Sequence, residues 1–179
     1  MKTLSEYIAH PRNAEGARQT LKEHTDNVSA ISSAFAKEFG QYELANAIGQ
    51  AHDLGKTRSL WQDRILRIER IEELHGLLLA DPHNTELQSE SQCLKLRNKF
   101  VEMLHDHKMS VAALVYPHDA YASLIIAGHH QGMPDFAKFK TEMDSGKWDA
   151  HREETLQNIG GTFQFKASQS ALISETERR

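Results

Sequence analysis

Eleven histidines in 179 residues, against one cysteine and four prolines, are the compositional outlier of this chain. Imidazole titrates near neutral pH and is the commonest side-chain ligand for transition metals, so a distributed excess points to metal or acid/base chemistry. Four positions stand out: His24, the pair His52-Asp53, His107, and the pair His129-His130. Each falls on an apolar face or at the end of a helical pattern. One inward histidine is more often a hydrogen-bonded core residue, but four such positions make coincidence harder to sustain.

Helical geometry limits what the adjacent pairs can do, because neighbours on a helix point about 100° apart. One metal cannot easily take both members. His129 and His130 would suit two neighbouring ions, or one ion and a substrate contact, and Asp53 beside His52 could bridge from one ion to the next. The expectation is a two-metal centre. Two divalent ions, less the Asp53 carboxylate and a bridging hydroxide, leave a charge of about +2 that an anionic phosphodiester would complete. Imidazole-rich ligation favours Mn, Fe, Co, Ni or Zn, with Mg remaining possible. Such ions lower the pKa of bound water from about 15.7 toward ~7.

The elements that must position these groups read as all-α, a single domain over residues 1–179 with a motif-bearing core at about 17–136 and a weaker segment at 137–179. The 3.6-residue period predicts a helix over 17–39, with Leu21, Val28, Ile31 and Phe35 as its inward stripe and Gly40 as its stop. A second helix covers about 42–53, with Leu44, Ala47, Ile48 and Ala51 inward and Gly55 ready for a left-handed end. A third runs over about 59–79, with Trp61, Ile65 and Leu74 inward and Arg58, Arg64, Arg67 and Arg70 outward, as a solvated face or a minor guide for a DNA backbone. Residues 87–114 read as helical with a disturbance near His105-Asp106-His107, and residues 119–129 form a helix that delivers His129-His130 at its end. His107, Val111 and Leu114 share one face. Beyond Gly132 the pattern weakens, with Phe136, Phe139, Trp148 and Leu156 available to pack, and residues 168–179 read as a frayed polar tail.

The run Ala51-His52-Asp53-Leu54-Gly55-Lys56, preceded by His24 and followed by His107 and by Gly128-His129-His130-Gln131-Gly132-Met133-Pro134-Asp135, resembles the HD superfamily of metal-dependent phosphohydrolases. Within that superfamily, the His-His-x-Gly-x-Pro-Asp stretch is most similar to the HD nuclease domain of the type I CRISPR helicase-nuclease. The resemblance spans about residues 21–136. It implies an all-helical domain with a mono- or dinuclear metal site that nicks and degrades single-stranded DNA, together with a helicase and a CRISPR effector complex. The metal ligands it implies are His24, His52, Asp53, His107, His129 and His130. Lys56 would stabilise charge at the substrate phosphate, its plain alternative being a solvated lysine after a helix end. His107 is preferred to His105 because Ser110-Val111-Ala112-Ala113 continues as the family does. One departure stands out: HD enzymes generally add an Asp on a late helix, whereas Ser170-Ala171-Leu172-Ile173-Ser174-Glu175 holds none, and Asp144 and Asp149 match no motif.

Two other function classes compete: a phosphohydrolase of small nucleotides with the same ligands, and a docking module with a compromised HD site. The net charge of −4 gives no global pull toward nucleic acid, so a polyanion must be captured locally. There is no Gly-x-x-x-x-Gly-Lys-[Ser/Thr] phosphate loop, so ATP-driven unwinding must come from elsewhere. No apolar run is long enough for a bilayer, and the lone Cys93 leaves a reducing cytoplasm as the default. His10, His75, His83, His118 and His151 read as solvated.

Overall fold

A computed structural model describes residues 2–104 and 106–165. Within them the chain is mainly α-helical, with eight α-helices and one two-stranded antiparallel sheet, β1 (Ile8–His10) and β2 (Gln19–Thr20). The helices are α1 (Leu21–Ala36), α2 (Tyr42–Ala51), α3 (Ser59–Ala80), α4 (Thr85–Leu104), α5 (His107–Val115), α6 (Ala120–Gly128), α7 (Phe136–Asp144) and α8 (Asp149–Asn158). None is long and apolar enough to cross a membrane.

The helix starts are written in side-chain chemistry. Thr20 and Glu23 close a capping box at α1, and Asp106, Asp119 and Asp135 accept backbone amides at the first turns of α5, α6 and α7. Gly40 takes the left-handed conformation, φ 68°, that ends the α1 segment. Helix α5 is the centre of the fold: His107, Lys108 and every residue of 110–115 are buried. Val111, Ala112 and Val115 join Ala51, Leu54, Ala122, Leu124, Ile126, Ala127 and Phe139 in the main core.

Helix α1 departs from the expected stripe. Its buried face is Leu21, Thr25, Ser29 and Ser33, while Ile31 and Phe35 are 60% and 75% exposed. Small polar residues win this face because α2 comes so close that a Cβ on Gly49 would stand 2.5 Å from Ser29 Cα. The Ser33 hydroxyl bonds back to the Ser29 carbonyl and that of Ser32 reaches the Ala45 carbonyl, so the polar groups are satisfied at that approach.

Four further differences have local causes. Gly55 is not left-handed; it is needed because a Cβ there would lie 2.1 Å from the His107 carbonyl oxygen. The expected disturbance near residue 106 is a full break between α4 and α5. The outward arginine face is largely committed. Arg58 is 1% exposed and paired with Glu154 at 2.9 Å, Arg64 and Arg70 pair with Glu102 and Glu90 on α4, and Arg67 donates to Asn98. The weak segment after Gly132 holds α7 and α8, with Phe139, Trp148 and Thr155 buried, and residues 162–165 carry no regular structure.

Candidate metal centre

Residues 51–58 are buried without interruption, and this is where α2 ends and the short 3₁₀ turn Leu54–Thr57 begins. His52 closes α2, and Asp53 turns out of the helical path at φ −111°, ψ 7°, which aims its carboxylate across the ends of α1, α5 and α6. His24 reaches it from the second turn of α1, His107 from the first residue of α5, and His129 and His130 from the turn after α6.

The two oxygens of Asp53 face different imidazoles. Oδ2 lies 2.9 Å from His24 Nε2, 3.4 Å from His52 Nε2 and 2.7 Å from Lys56 Nζ. Oδ1 lies 3.1 Å from His107 Nε2 and 3.6 Å from His129 Nε2. The candidate ligand atoms accordingly form two overlapping groups, His24-His52-Asp53 and Asp53-His107-His129-His130, each with its atoms within 4.8 Å of one another. All six expected ligands are gathered here. His129 and His130 fall in one group rather than two, because both lie beyond the last residue of α6 and escape the helical divergence of neighbouring side chains.

Backbone carbonyls fix two of the rings. His52 Nδ1 lies 2.8 Å from the Gly49 carbonyl oxygen and His129 Nδ1 lies 2.6 Å from that of Ile126. A carbonyl only accepts, so each Nδ1 carries a proton and each Nε2 is the ring nitrogen turned toward Asp53. Trp61 of α3 holds the His107 ring edge-to-face at 4.3 Å between centroids.

These groups fit a cation. Asp53 Oδ1, His107 Nε2 and His129 Nε2 are buried without a hydrogen-bond partner, and a buried cluster with surplus acceptors is costly unless positive charge completes it. Burial raises the Asp53 carboxyl, but the surrounding nitrogens of His107, His129, His24 and His52 overcome this and hold it well below the usual carboxylate range. Burial lowers the His107 imidazole, and burial together with the neighbouring His129 and His107 pushes His130 down to about 4. Both rings are therefore neutral at pH 7, as ligation requires.

Lys56 is buried beside Asp53, not solvated. His105 and the late Ser170-Ala171-Leu172-Ile173-Ser174-Glu175 segment lie outside the described residues. Asp144 pairs with Lys140 and accepts from the Tyr116 hydroxyl, and Asp149 stands beside Arg152. The residue that sequence reasoning misses is His10. Its Nε2 stands 3.3 Å from His24 Nδ1, a proximity created by β1 that no spacing rule signals.

No protein-family model, curated protein or solved structure matches this chain. Its functional reading rests on its own residues and their geometry.

Proposed function

We propose that this chain is a metal-dependent phosphodiester hydrolase, an HD-type nuclease that cuts single-stranded DNA in partnership with a helicase and a CRISPR effector complex. The observation that carries the hydrolase reading is the division of one buried carboxylate between two imidazole sets, with Oδ2 toward His24 and His52 and Oδ1 toward His107 and His129. The choice of single-stranded DNA and of a helicase partner is supported by the His129-His130-x-Gly132-x-Pro134-Asp135 resemblance.

Bound divalent ions such as Mn, Fe, Co, Ni or Zn supply Lewis acidity at the phosphate and an acidified water. The chain's residues do the rest. Asp53 is shared by both ligand sets and fixes their separation. Gly49 and Ile126 hold the tautomers of His52 and His129, so their Nε2 lone pairs need no rearrangement to ligate. His130, exposed where His52, Asp53 and His107 are buried, marks the open side from which a phosphodiester would enter. Lys56, whose ammonium lies 2.7 Å from Asp53 Oδ2, would be the cationic side chain at hand to steady negative charge developing on the phosphate.

The test assays single-stranded DNA beside a panel of nucleotides, with protein reconstituted with each metal in turn. DNA cleavage that disappears in Asp53→Asn, with the helical circular dichroism retained, is the expected result. Turnover confined to nucleotides moves the substrate to a small phosphate ester. Full cleavage by purified Asp53→Asn overturns the reading.

A further inference from the structure

His24 differs from the other ordered ligand rings in what holds it. His52 and His129 each give their second ring nitrogen to a carbonyl of their own helix turn, so their orientation is local. For His24 the second nitrogen faces another side chain, His10 Nε2 at 3.3 Å, with the two rings edge-to-face at 4.6 Å between centroids. With a cation held at His24 Nε2, Nδ1 must carry that ring's proton, and His10 Nε2 is the acceptor placed to receive it.

His10 is held in place by a chain of specific hydrogen bonds. The Ile8 amide donates to Gln62 Oε1 at 2.9 Å, and Gln62 Nε2 donates both to the Ile8 carbonyl at 2.9 Å and to the Lys56 carbonyl at 2.7 Å. One side chain of α3 thus ties β1 to the turn that carries Lys56. The Leu21 amide donates to the Tyr7 carbonyl at 2.8 Å, tying the same strand to the start of α1. The β1–β2 register shifts between Ile8 and His10, the kind of irregularity that redirects a strand side chain. Buried Tyr7 and Ala9 pack with Leu21 beneath the strand, leaving His10 on the side of His24.

We infer that His10 is a positioning residue of the metal centre: it accepts the Nδ1 proton of His24, fixing that ring's tautomer and aiming Nε2 into the His24-His52-Asp53 group. The inference rests on the metal-centre reading and assigns His10 no ligand role of its own. An outer partner of a metal-bound histidine typically contributes roughly 10- to 100-fold in metal affinity. Its loss should weaken one ion-binding step and spare the group built on His107, His129 and His130.

The experiment is Mn²⁺ titration by calorimetry on the full chain, with X-ray absorption on the loaded protein. His10→Ala should lose roughly 10- to 100-fold in one binding step, and His10→Gln, whose amide oxygen restores an acceptor near the Nε2 position, should recover most of it. The number of imidazoles at the metal should be the same in wild type and His10→Ala. Equal affinity of His10→Ala and wild type overturns the inference, as does failure of His10→Gln to rescue. Loss of one coordinated imidazole in His10→Ala also overturns it, by making His10 a ligand. Because affinity is read without DNA, a wild type that binds Mn²⁺ but cuts nothing refutes the nuclease and leaves this inference standing. A wild type that binds no ion refutes both.

Discussion

The surroundings of Asp53 and the α3–α4 hairpin are both rich in charge, yet they use it in opposite ways. Around Asp53 the groups come from four helices and one short turn, are mostly buried, and include acceptor atoms left without partners. Along the hairpin three arginines of α3 reach partners on α4: Arg64 meets Glu102 at 3.0 Å, Arg70 meets Glu90 at 2.9 Å, and Arg67 donates to the Asn98 amide oxygen at 2.7 Å. Among the described residues, none of the main core belongs to α3 or α4; Ile65, Leu74 and Val101 are buried along the hairpin, and Trp61 packs on His107. A convergent, unsatisfied set is poised for a ligand, whereas a paired set holds two helices together.

The largest effect should come from deleting the shared carboxylate. Asp53→Ala leaves the buried Lys56 ammonium without its partner, and an uncompensated buried charge costs about 3–5 kcal/mol. Urea denaturation should show that loss, and Asp53→Ala/Lys56→Met should regain most of it without regaining metal. A single variant as stable as wild type would mean that water reaches Lys56 and that the site is not the dry cluster described. Gly55→Ala comes next. Its Cβ would collide with the His107 carbonyl oxygen at 2.1 Å and Ser110 Oγ at 2.4 Å, so α5 must move, at about 3 kcal/mol and with weakened metal binding. Gly49→Ala should cost about 2 kcal/mol by prising α1 from α2 at Ser29. It should weaken the His24-His52 group more than the His107 group, a difference that calorimetric titration of each variant resolves.

The two regions were unequally legible. The convergence of His24, His52, Asp53, His107, His129 and His130 could be anticipated because they carry unusual chemistry at helix faces and ends, where few residue types explain them. The all-α class followed from the 3.6-residue period. What failed was the assumption that an apolar stripe marks the buried face of α1: the close approach at Gly49 selects Ser29 and Ser33 over Ile31 and Phe35, and no single-helix pattern contains its partner's distance. The arginines of α3 were legible only as an outward face, and the burial of Arg58 was missed, for the same reason, since α4 and α8 supply their mates from 20 to 96 residues away. His10 escaped because a short strand at a register shift, not helical spacing, brings it to His24.

Where the two regions meet, Glu69 of α3 receives Arg18 through Nε at 2.8 Å and the Arg12 amide at 3.1 Å, clamping the β1–β2 connection to the hairpin. The Arg18 guanidinium holds the Glu69 carboxyl below its ordinary 4.5, against the opposing effect of burial. The folded protein therefore binds this proton more weakly than the unfolded chain. Its stabilisation, about 1 kcal/mol with Arg18 partly in water, is complete above pH ~4.5 and is lost as pH falls toward the lower folded value. Glu69→Gln should flatten that part of the stability–pH curve, measured by thermal melts. An unchanged slope would mean that the clamp contributes nothing in solution.

The smallest effect sharpens the contrast most. The Arg70 side chain is 42% exposed and bound to Glu90 and Glu73 in water, so Arg70→Ala should leave both stability and Mn²⁺ affinity nearly untouched. Its bearing is on substrate. If these arginines are committed to α4, replacing Arg64, Arg67 and Arg70 together by Ala should leave the salt dependence of single-stranded DNA binding unaltered. Were they free to neutralise phosphates, each guanidinium removed from a phosphate would lower the slope of log K against log salt by about 0.7. A drop of about two units would turn the hairpin from a paired brace into a guide for the strand, and the opposition between the two regions would dissolve into one continuous binding surface.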